Sequence, residues 1–242
     1  HIEDSLYIEP EIHPALIMCT SGTTGVPKGA MLTETNVLTN VSDIALYFGI
    51  DKSDTILISR PLYHCAVLTG EFLTGLVKGT KIRFYSGTFN PAVVLKMLKE
   101  YNVTAFCGTP TLISTIARFK RKNDGDFLKH ICISGECLSL ETGLYIIEAF
   151  SNAEIYHIYG LTEASPRVTY LPPDKFKEHA DCVGVPLRSV SLKIISSSGA
   201  PVKFNEIGTL WVKGDNVMAG YYNNPEKTSE GLKDGWLCTG DL

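Results

Sequence analysis

The strongest constraint on the fold of this 242-residue chain is an alternation. Short apolar, β-branched runs at Thr55–Ser59, Thr80–Tyr85, Val103–Cys107, His130–Ser134 and Glu154–Ile158 are separated by stretches of helical character. Two of the helices mark their own start. Asn90-Pro91 and Thr109-Pro110 each place an N-cap side chain before a proline at the first helical position, where an N–H has no partner anyway. After Pro91, the residues Val94, Met97, Leu98 and Tyr101 recur at helical spacing and share one face. Further helices are expected over Glu34–Phe48 and Ser139–Phe150, and a strand over Ala15–Cys19. Repeated strand–helix–strand units imply an α/β fold, with a mainly parallel sheet and helices covering its faces.

The pattern changes after Pro172. Ser189–Ile195 alternates polar and apolar residues, Ser197-Ser198-Gly199 reads as a turn, and Gly208–Lys213 as another strand. Helical stripes disappear there. Residues 1–171 are therefore expected to form an α/β subdomain, and 172–242 a small antiparallel, β-rich one.

Composition narrows the setting. The net charge of −4 supplies no field that would attract nucleic acid or an anionic membrane. The local basic run Lys120-Arg121-Lys122 follows an apolar helix and reads as its solvated end. Seven cysteines, an odd number with no Cys-x-x-Cys pair, argue for a reducing, cytoplasmic compartment and against a disulfide framework or a zinc site. Cys19, Cys107 and Cys132 sit in apolar runs and are expected to act as small buried hydrophobes. No apolar run approaches the roughly 18–20 residues needed for a transmembrane segment. The chain opens at His1 without an initiator methionine or signal peptide and stops at Leu242 without a closing element, which suggests a piece of a longer protein.

The densest chemical signal is Thr20-Ser21-Gly22-Thr23-Thr24-Gly25-Val26-Pro27-Lys28-Gly29. Its glycines let backbone N–H groups converge on an anion, its hydroxyls add donors, and Lys28 brings a compact positive charge suited to phosphate. A Walker A loop requires Gly-Lys followed by Ser or Thr. Here Gly25 precedes Val-Pro and Lys28 precedes Gly29, so that pattern fails.

This loop resembles the phosphate loop of the adenylate-forming (AMP-binding) superfamily, which includes acyl-CoA synthetases, adenylation domains of peptide synthetases and firefly luciferase. Three further stretches resemble that superfamily's signatures, in its order: Tyr159-Gly160-Leu161-Thr162-Glu163; Gly208–Gly214 with Gly220-Tyr-Tyr-Asn-Asn-Pro225; and Gly235-Trp-Leu-Cys-Thr-Gly-Asp241. The resemblance covers essentially the whole chain. It implies two reactions. A carboxylate attacks the α-phosphate of ATP, giving acyl-AMP and pyrophosphate, and a thiol of CoA or of a carrier-protein pantetheine then displaces AMP.

The same resemblance implies residue roles. Thr20, Ser21, Gly22, Thr23, Thr24, Gly25 and Lys28 would hold the departing phosphates. Thr162 would donate to the α-phosphate, and Glu163 would hold Mg²⁺ as an acceptor-only carboxylate. Tyr159 would offer its face to adenine, and Asp241 would take the ribose hydroxyls. Gly160 belongs to the same signature. Gly135-Glu136-Cys137 would line the adenine site, with Cys137 a mild departure from the usual pattern. His157 stands where many members have an adenine-contacting Asn. His64, in Pro61-Leu-Tyr-His64, would face the substrate carboxylate and gate the thiol tunnel. No acid stands there to grip an amino group, so the acyl-CoA synthetase type is favoured over amino-acid activation. Cys65–Leu73, Gly108–Leu112, Tyr156–Ala164 and Gly184 would line an acyl pocket whose charges are Glu71 and Glu163. Members usually carry an N-terminal region and a small C-terminal domain that this sequence does not contain. Two other readings stay open: an enzyme that loads a carrier protein, and a nucleotide- or acyl-binding module without turnover.

Overall fold

The structure is a computed structural model and describes residues 13–20, 27–121 and 126–242. In chain order, β1 (Leu16–Thr20) and β2 (Lys28–Leu32) form an antiparallel pair in which Thr20 lies opposite Lys28. Helix α1 (Glu34–Tyr47) opens with a reciprocal cap. Thr33 Oγ1 accepts from the Asn36 N–H, and Asn36 Oδ1 accepts from the Thr33 N–H at 2.8 Å. β3 (Thr55–Ile58) leads into a helical segment made of α2 (Cys65–Val67), a π-helical turn Leu68–Leu73 and α3 (Thr74–Lys78). Then come β4 (Lys81–Phe84), α4 (Pro91–Glu100), β5 (Ala105–Gly108), α5 (Pro110–Phe119), β6 (His130–Ser134), α6 (Leu140–Ala149) and β7 (Glu154–Gly160).

The two expected caps form: Asn90 accepts from Ala92 N at 3.0 Å and Thr109 from Leu112 N at 3.2 Å. Ser139 adds a third, accepting from Thr142 N at 3.2 Å. On α4 the buried face is Val94, Leu95 and Leu98, while Tyr101 lies just past the last turn and is exposed.

Strands β4-β3-β5-β6-β7 are parallel, and β8 (Arg167–Leu171) and β9 (Val185–Pro186) continue the sheet antiparallel at the β7 edge. Both faces are buried, as a parallel sheet requires. Leu57, Phe106, Ile131, Ile133 and Ile155 point to one side, into a core shared with α4, α5 and α6. Ile56, Ile58, Ala105, Cys107, Cys132, Tyr156 and Ile158 point to the other, against Ile44 and Phe48 of the α1 region. Cys19 departs from expectation. Met18 faces the core, so its neighbour Cys19 turns outward and is exposed. None of the seven cysteines is in a disulfide.

Past residue 171 the chain does not leave the large sheet at once. Helix α7 (Pro173–His179) buries Phe176 in the first core, and β9 follows. The four-stranded antiparallel sheet then forms from β10 (Val190–Ile195), β11 (Thr209–Gly214), β13 (Leu232–Lys233) and β14 (Trp236–Cys238), with α8 (Pro225–Gly231) beside it. Two helices follow Pro172 although the helical stripes disappear there, because at seven residues each α7 and α8 are too short to print one. Strand β12 (Gly220–Tyr221) joins neither of these sheets. It pairs with β2, Tyr221 opposite Ala30, and closes a three-stranded sheet with β1.

Candidate nucleotide and acyl site

Ligands of open parallel sheets bind beyond the carboxyl ends of the strands. Several of the residues singled out above lie at that edge. His64 follows β3, Thr109 follows β5, Gly135-Glu136-Cys137 follows β6, and Gly160–Glu163 follows β7. Gly135 takes φ +92°, a turn that favours glycine, and leaves Glu136 and Cys137 exposed. Glu136 accepts from the Thr111 hydroxyl at 2.7 Å, which ties this loop to the start of α5 and holds the carboxyl below its usual range. Gly160 is there for close approach. A Cβ would lie 2.0 Å from the Pro166 carbonyl, where the chain doubles back from β7 to β8.

That reversal presents Thr162 and Glu163 on a 3₁₀ turn, Thr162–Ala164. The turn is fixed from outside. Met218 N donates to the Glu163 carbonyl at 2.8 Å, and Asn216 Nδ2 to the Ala164 carbonyl at 2.9 Å. The turn packs on β1 and β2, which brings it to the Lys28 end of the phosphate loop. Tyr221 completes the link. Its hydroxyl donates to Glu163 Oε1 at 2.8 Å and receives Lys28 Nζ at 3.4 Å, and Lys28 sits 4.5 Å from the centre of its ring. Burial, then the Glu163 charge, raise the Tyr221 pKa, so the phenol stays a donor. Tyr221 has no role in the sequence-based reading. Its presence in the Gly220-Tyr-Tyr motif was the one available signal, and its function depends on a contact 58 residues away in the chain.

Of the phosphate loop, Thr20 and Lys28 are described. Ser21, Gly22, Thr23, Thr24 and Gly25 lie outside the described residues. The Thr20 hydroxyl is buried and has no partner among the described residues. Lys28 begins a strand, not a helix, so no helix N-terminus adds to the field as it would in a Walker A loop.

A second pair lies at the end of β7. Tyr159 donates to Asp241 Oδ2 at 2.5 Å, across 82 residues, and Leu210 N holds the Asp241 carbonyl at 2.9 Å. Burial is the main cause of a raised Tyr159 pKa, so this phenol too is protonated. His157 is placed differently. Its ring is buried and Nδ1 meets the Cys182 carbonyl at 2.9 Å, so it braces the segment after α7. His64 is exposed and stands at the N-terminus of the short helix α2 without a side-chain cap bond. Partial desolvation of its ring and then the charge of Arg60 lower its pKa, which favours the neutral, hydrogen-bonding ring over the cation. Glu71, expected in the acyl lining, is fully buried and bound to Arg60 Nη2 at 2.7 Å. Gly184 takes φ +79° against the Tyr170 backbone.

A single half-buried carboxylate fits Mg²⁺, which takes one or two protein carboxylates and completes its shell with phosphates and water. Among the described residues no group of three His, Cys, Asp or Glu could hold a metal alone, so Glu163 would act only together with bound phosphates.

The chain matches the family described as AMP-binding enzyme over residues 6–222. It is 38% identical to the long-chain-fatty-acid–CoA ligase of Haemophilus influenzae, over 98% of this chain and 43% of that protein. It is 34% identical to a feruloyl-CoA synthase of an Amycolatopsis species, over 94% and 46%. The O-succinylbenzoate coenzyme A synthetase of Bacillus subtilis superposes with a TM-score of 0.85 and 28% identity in its complex with AMP, covering 94% of this chain and 46% of that one. The complex of the same protein with ATP and magnesium gives 0.84. The chain spans about half the length of the curated relatives it matches. A phosphate-loop strand pair, a Tyr–Gly–Leu–Thr–Glu turn locked against it and a tyrosine–aspartate pair at the sheet's carboxyl edge agree with that match: the chain belongs to the AMP-binding enzyme family.

Proposed function

We propose that this chain is the nucleotide- and acyl-binding core of an AMP-forming acid–thiol ligase of acyl-CoA synthetase type. The observation that carries the reading is the chain of contacts Lys28–Tyr221–Glu163, beside Thr162 and the Tyr159–Asp241 pair. These contacts join a cation, a hard anion and donors from four separated motifs, which supports a reading in which one nucleotide meets them all. Lys28 and the loop from Thr20 would neutralise the β- and γ-phosphates. Thr162 would donate to the α-phosphate. Glu163 would hold Mg²⁺ against the phosphates, where the ion offsets their charge. Tyr159 would stack on adenine beside the Gly135–Cys137 loop, and Asp241 would accept from the ribose hydroxyls.

The acid's carboxylate oxygen would bond to the α-phosphorus as the bond to pyrophosphate breaks. A thiol sulfur would then bond to the acyl carbon as AMP leaves. Neutral His64 would orient the carboxylate by hydrogen bonding. CoA as the thiol is supported by the relatives, which are named for CoA products. Among the described residues no helix is long and apolar enough to cross a membrane, and with seven unpaired cysteines this supports a cytoplasmic setting.

The test is ATP–pyrophosphate exchange by the full-length protein with a panel of carboxylic acids. Exchange that depends on the acid, and CoA-dependent thioester release, are expected. Nucleotide binding without exchange for any acid would leave a binding module instead.

A further inference from the structure

Three buried asparagines converge behind the Thr162–Ala164 turn. Asn36 and Asn40 stand four apart on α1, and so on one face of it. Asn216 lies in the segment between β11 and β12. Asn36 Nδ2 donates to the Asp215 carbonyl at 2.7 Å, which ties that segment to α1. Asn40 Nδ2 donates to the Arg167 carbonyl at 2.7 Å, and its Oδ1 accepts from the Arg167 N–H at 3.2 Å. Asn216 Nδ2 donates to the Ala164 carbonyl at 2.9 Å and to the Arg167 carbonyl at 3.2 Å.

These bonds are not equivalent. The Arg167 carbonyl is bonded twice, by Asn40 and by Asn216, whereas Asn216 is the side chain that reaches Ala164, the residue after Glu163. Asn216 is 0% exposed, and its Oδ1 is buried with no partner among the described residues. Gly214 leaves that oxygen room, since a Cβ there would stand 2.6 Å from it. A buried amide that leaves its own oxygen unbonded is retained for what its nitrogen does. That nitrogen bonds one carbonyl on each side of Ser165-Pro166, and so fixes the spacing of the two sides of the reversal. Met218, two residues further on, donates its N–H to the Glu163 carbonyl at 2.8 Å. None of these bonds uses the Thr162 or Glu163 side chain.

We infer that Asn216 is a positioning residue for the metal-binding edge of the nucleotide site: through the Ala164 and Arg167 carbonyls it sets where Glu163 stands. This rests on the reading of Glu163 as the Mg²⁺ ligand. A group that orients a metal ligand commonly matters to metal affinity nearly as much as the ligand itself. The Tyr159–Asp241 pair, held by Leu210 N, shares none of these bonds, so binding of the nucleotide without metal should depend on Asn216 far less.

The test measures the Kd of ATP by calorimetry on the full-length protein, once with Mg²⁺ and once with EDTA. The ratio of the two values reports what the metal adds. Asn216→Leu, of similar volume and without a donor, should reduce that ratio by about tenfold while leaving the Kd in EDTA within about threefold of wild type. Combined with Glu163→Gln it should lower the ratio little further, because both act on one ligand. Asn216→Gln separates donation from packing. It keeps a donor but overfills the site, so a positioning role leaves its ratio nearer to wild type than that of Asn216→Leu, and a packing role reverses the order. Ile146→Ala, in the core under α6, is the control for lost stability and should lower Tm with the ratio unchanged. Should Asn216→Leu not fold, Asn216→Ala decides by the same ratio. Both Kd values weakened by one factor, or a ratio that survives in Asn216→Leu, would overturn the inference alone. A wild-type ratio of one would remove the Glu163 reading and this inference with it.

Discussion

Two cations in this molecule are each held by a tyrosine, and they do different work. Arg167 donates to the Tyr47 hydroxyl at 2.5 Å and to the Gly70 carbonyl at 2.9 Å, while Asn40 and Asn216 bind its backbone. It is buried, and its partners are fixed parts of the core. Lys28 meets the Tyr221 hydroxyl at the longer distance of 3.4 Å, is only half-buried, and its tyrosine passes the contact on to Glu163. The same pairing serves architecture where every bond is satisfied internally. Where the cation stays loosely bonded beside an anion at a strand end, it keeps capacity for a ligand.

The comparison can be broken by mutation. Arg167→Met should have the largest effect, lowering unfolding free energy by about 3–5 kcal/mol, because Tyr47 and Gly70 lose their partner in a dry setting. Urea denaturation measures it. A stable Arg167→Met chain that fails to bind nucleotide would reverse the two assignments. Lys28→Ala should cost on the order of 10–100-fold in pyrophosphate exchange while changing stability by less than about 0.5 kcal/mol. Exchange unaffected at subsaturating ATP would remove the phosphate role.

Glu163→Gln preserves shape and loses charge, so the Mg²⁺ concentration for half-maximal rate should rise about tenfold. Tyr221→Phe should raise it less, by about threefold, consistent with one neutral-to-charged hydrogen bond, and should add little to Glu163→Gln. Full additivity of the pair would show that Tyr221 does not act through Glu163.

The smallest expected effect concerns His157. Burial lowers its pKa below the ordinary 6.5, so as pH falls the unfolded chain takes the proton first. Its contribution to stability is complete above 6.5 and is lost as pH drops from there toward the lowered folded value. Wild type should therefore lose more stability than His157→Asn between about pH 7 and 5, by less than about 1 kcal/mol. Parallel pH curves would place the ring in solvent.

Local signals carried the large sheet well. Asn90, Thr109 and Ser139 cap helices through atoms two or three residues away, and His130–Ser134 forms its strand with the expected bounds. The phosphate loop was legible as chemistry but not as architecture. It joins two antiparallel strands rather than a strand and a helix, because β2 is stabilised by the two-residue strand β12, which has no local signature of its own. Tyr221 was missed for a related reason. It acts through a partner that only the fold delivers, Glu163.

The β2–β12 pairing also orders events in time. Lys28 and Tyr221 stand 193 residues apart, whereas the neighbouring strands β5 and β6, and β6 and β7, of the parallel sheet are joined by single helices. At ribosomal rates of about 5–20 residues per second, roughly 10–40 s pass between the emergence of the phosphate-loop lysine and that of the tyrosine that holds it. All five strands of the parallel sheet, from Thr55 to Gly160, are made within that interval, before β12 exists. The Lys28–Tyr221 contact therefore closes only after the strands of the parallel sheet have been made. A ribosome that stalls before Gly220 would release a folded sheet with an open, unpaired β2 edge, which is a template for pairing with another chain.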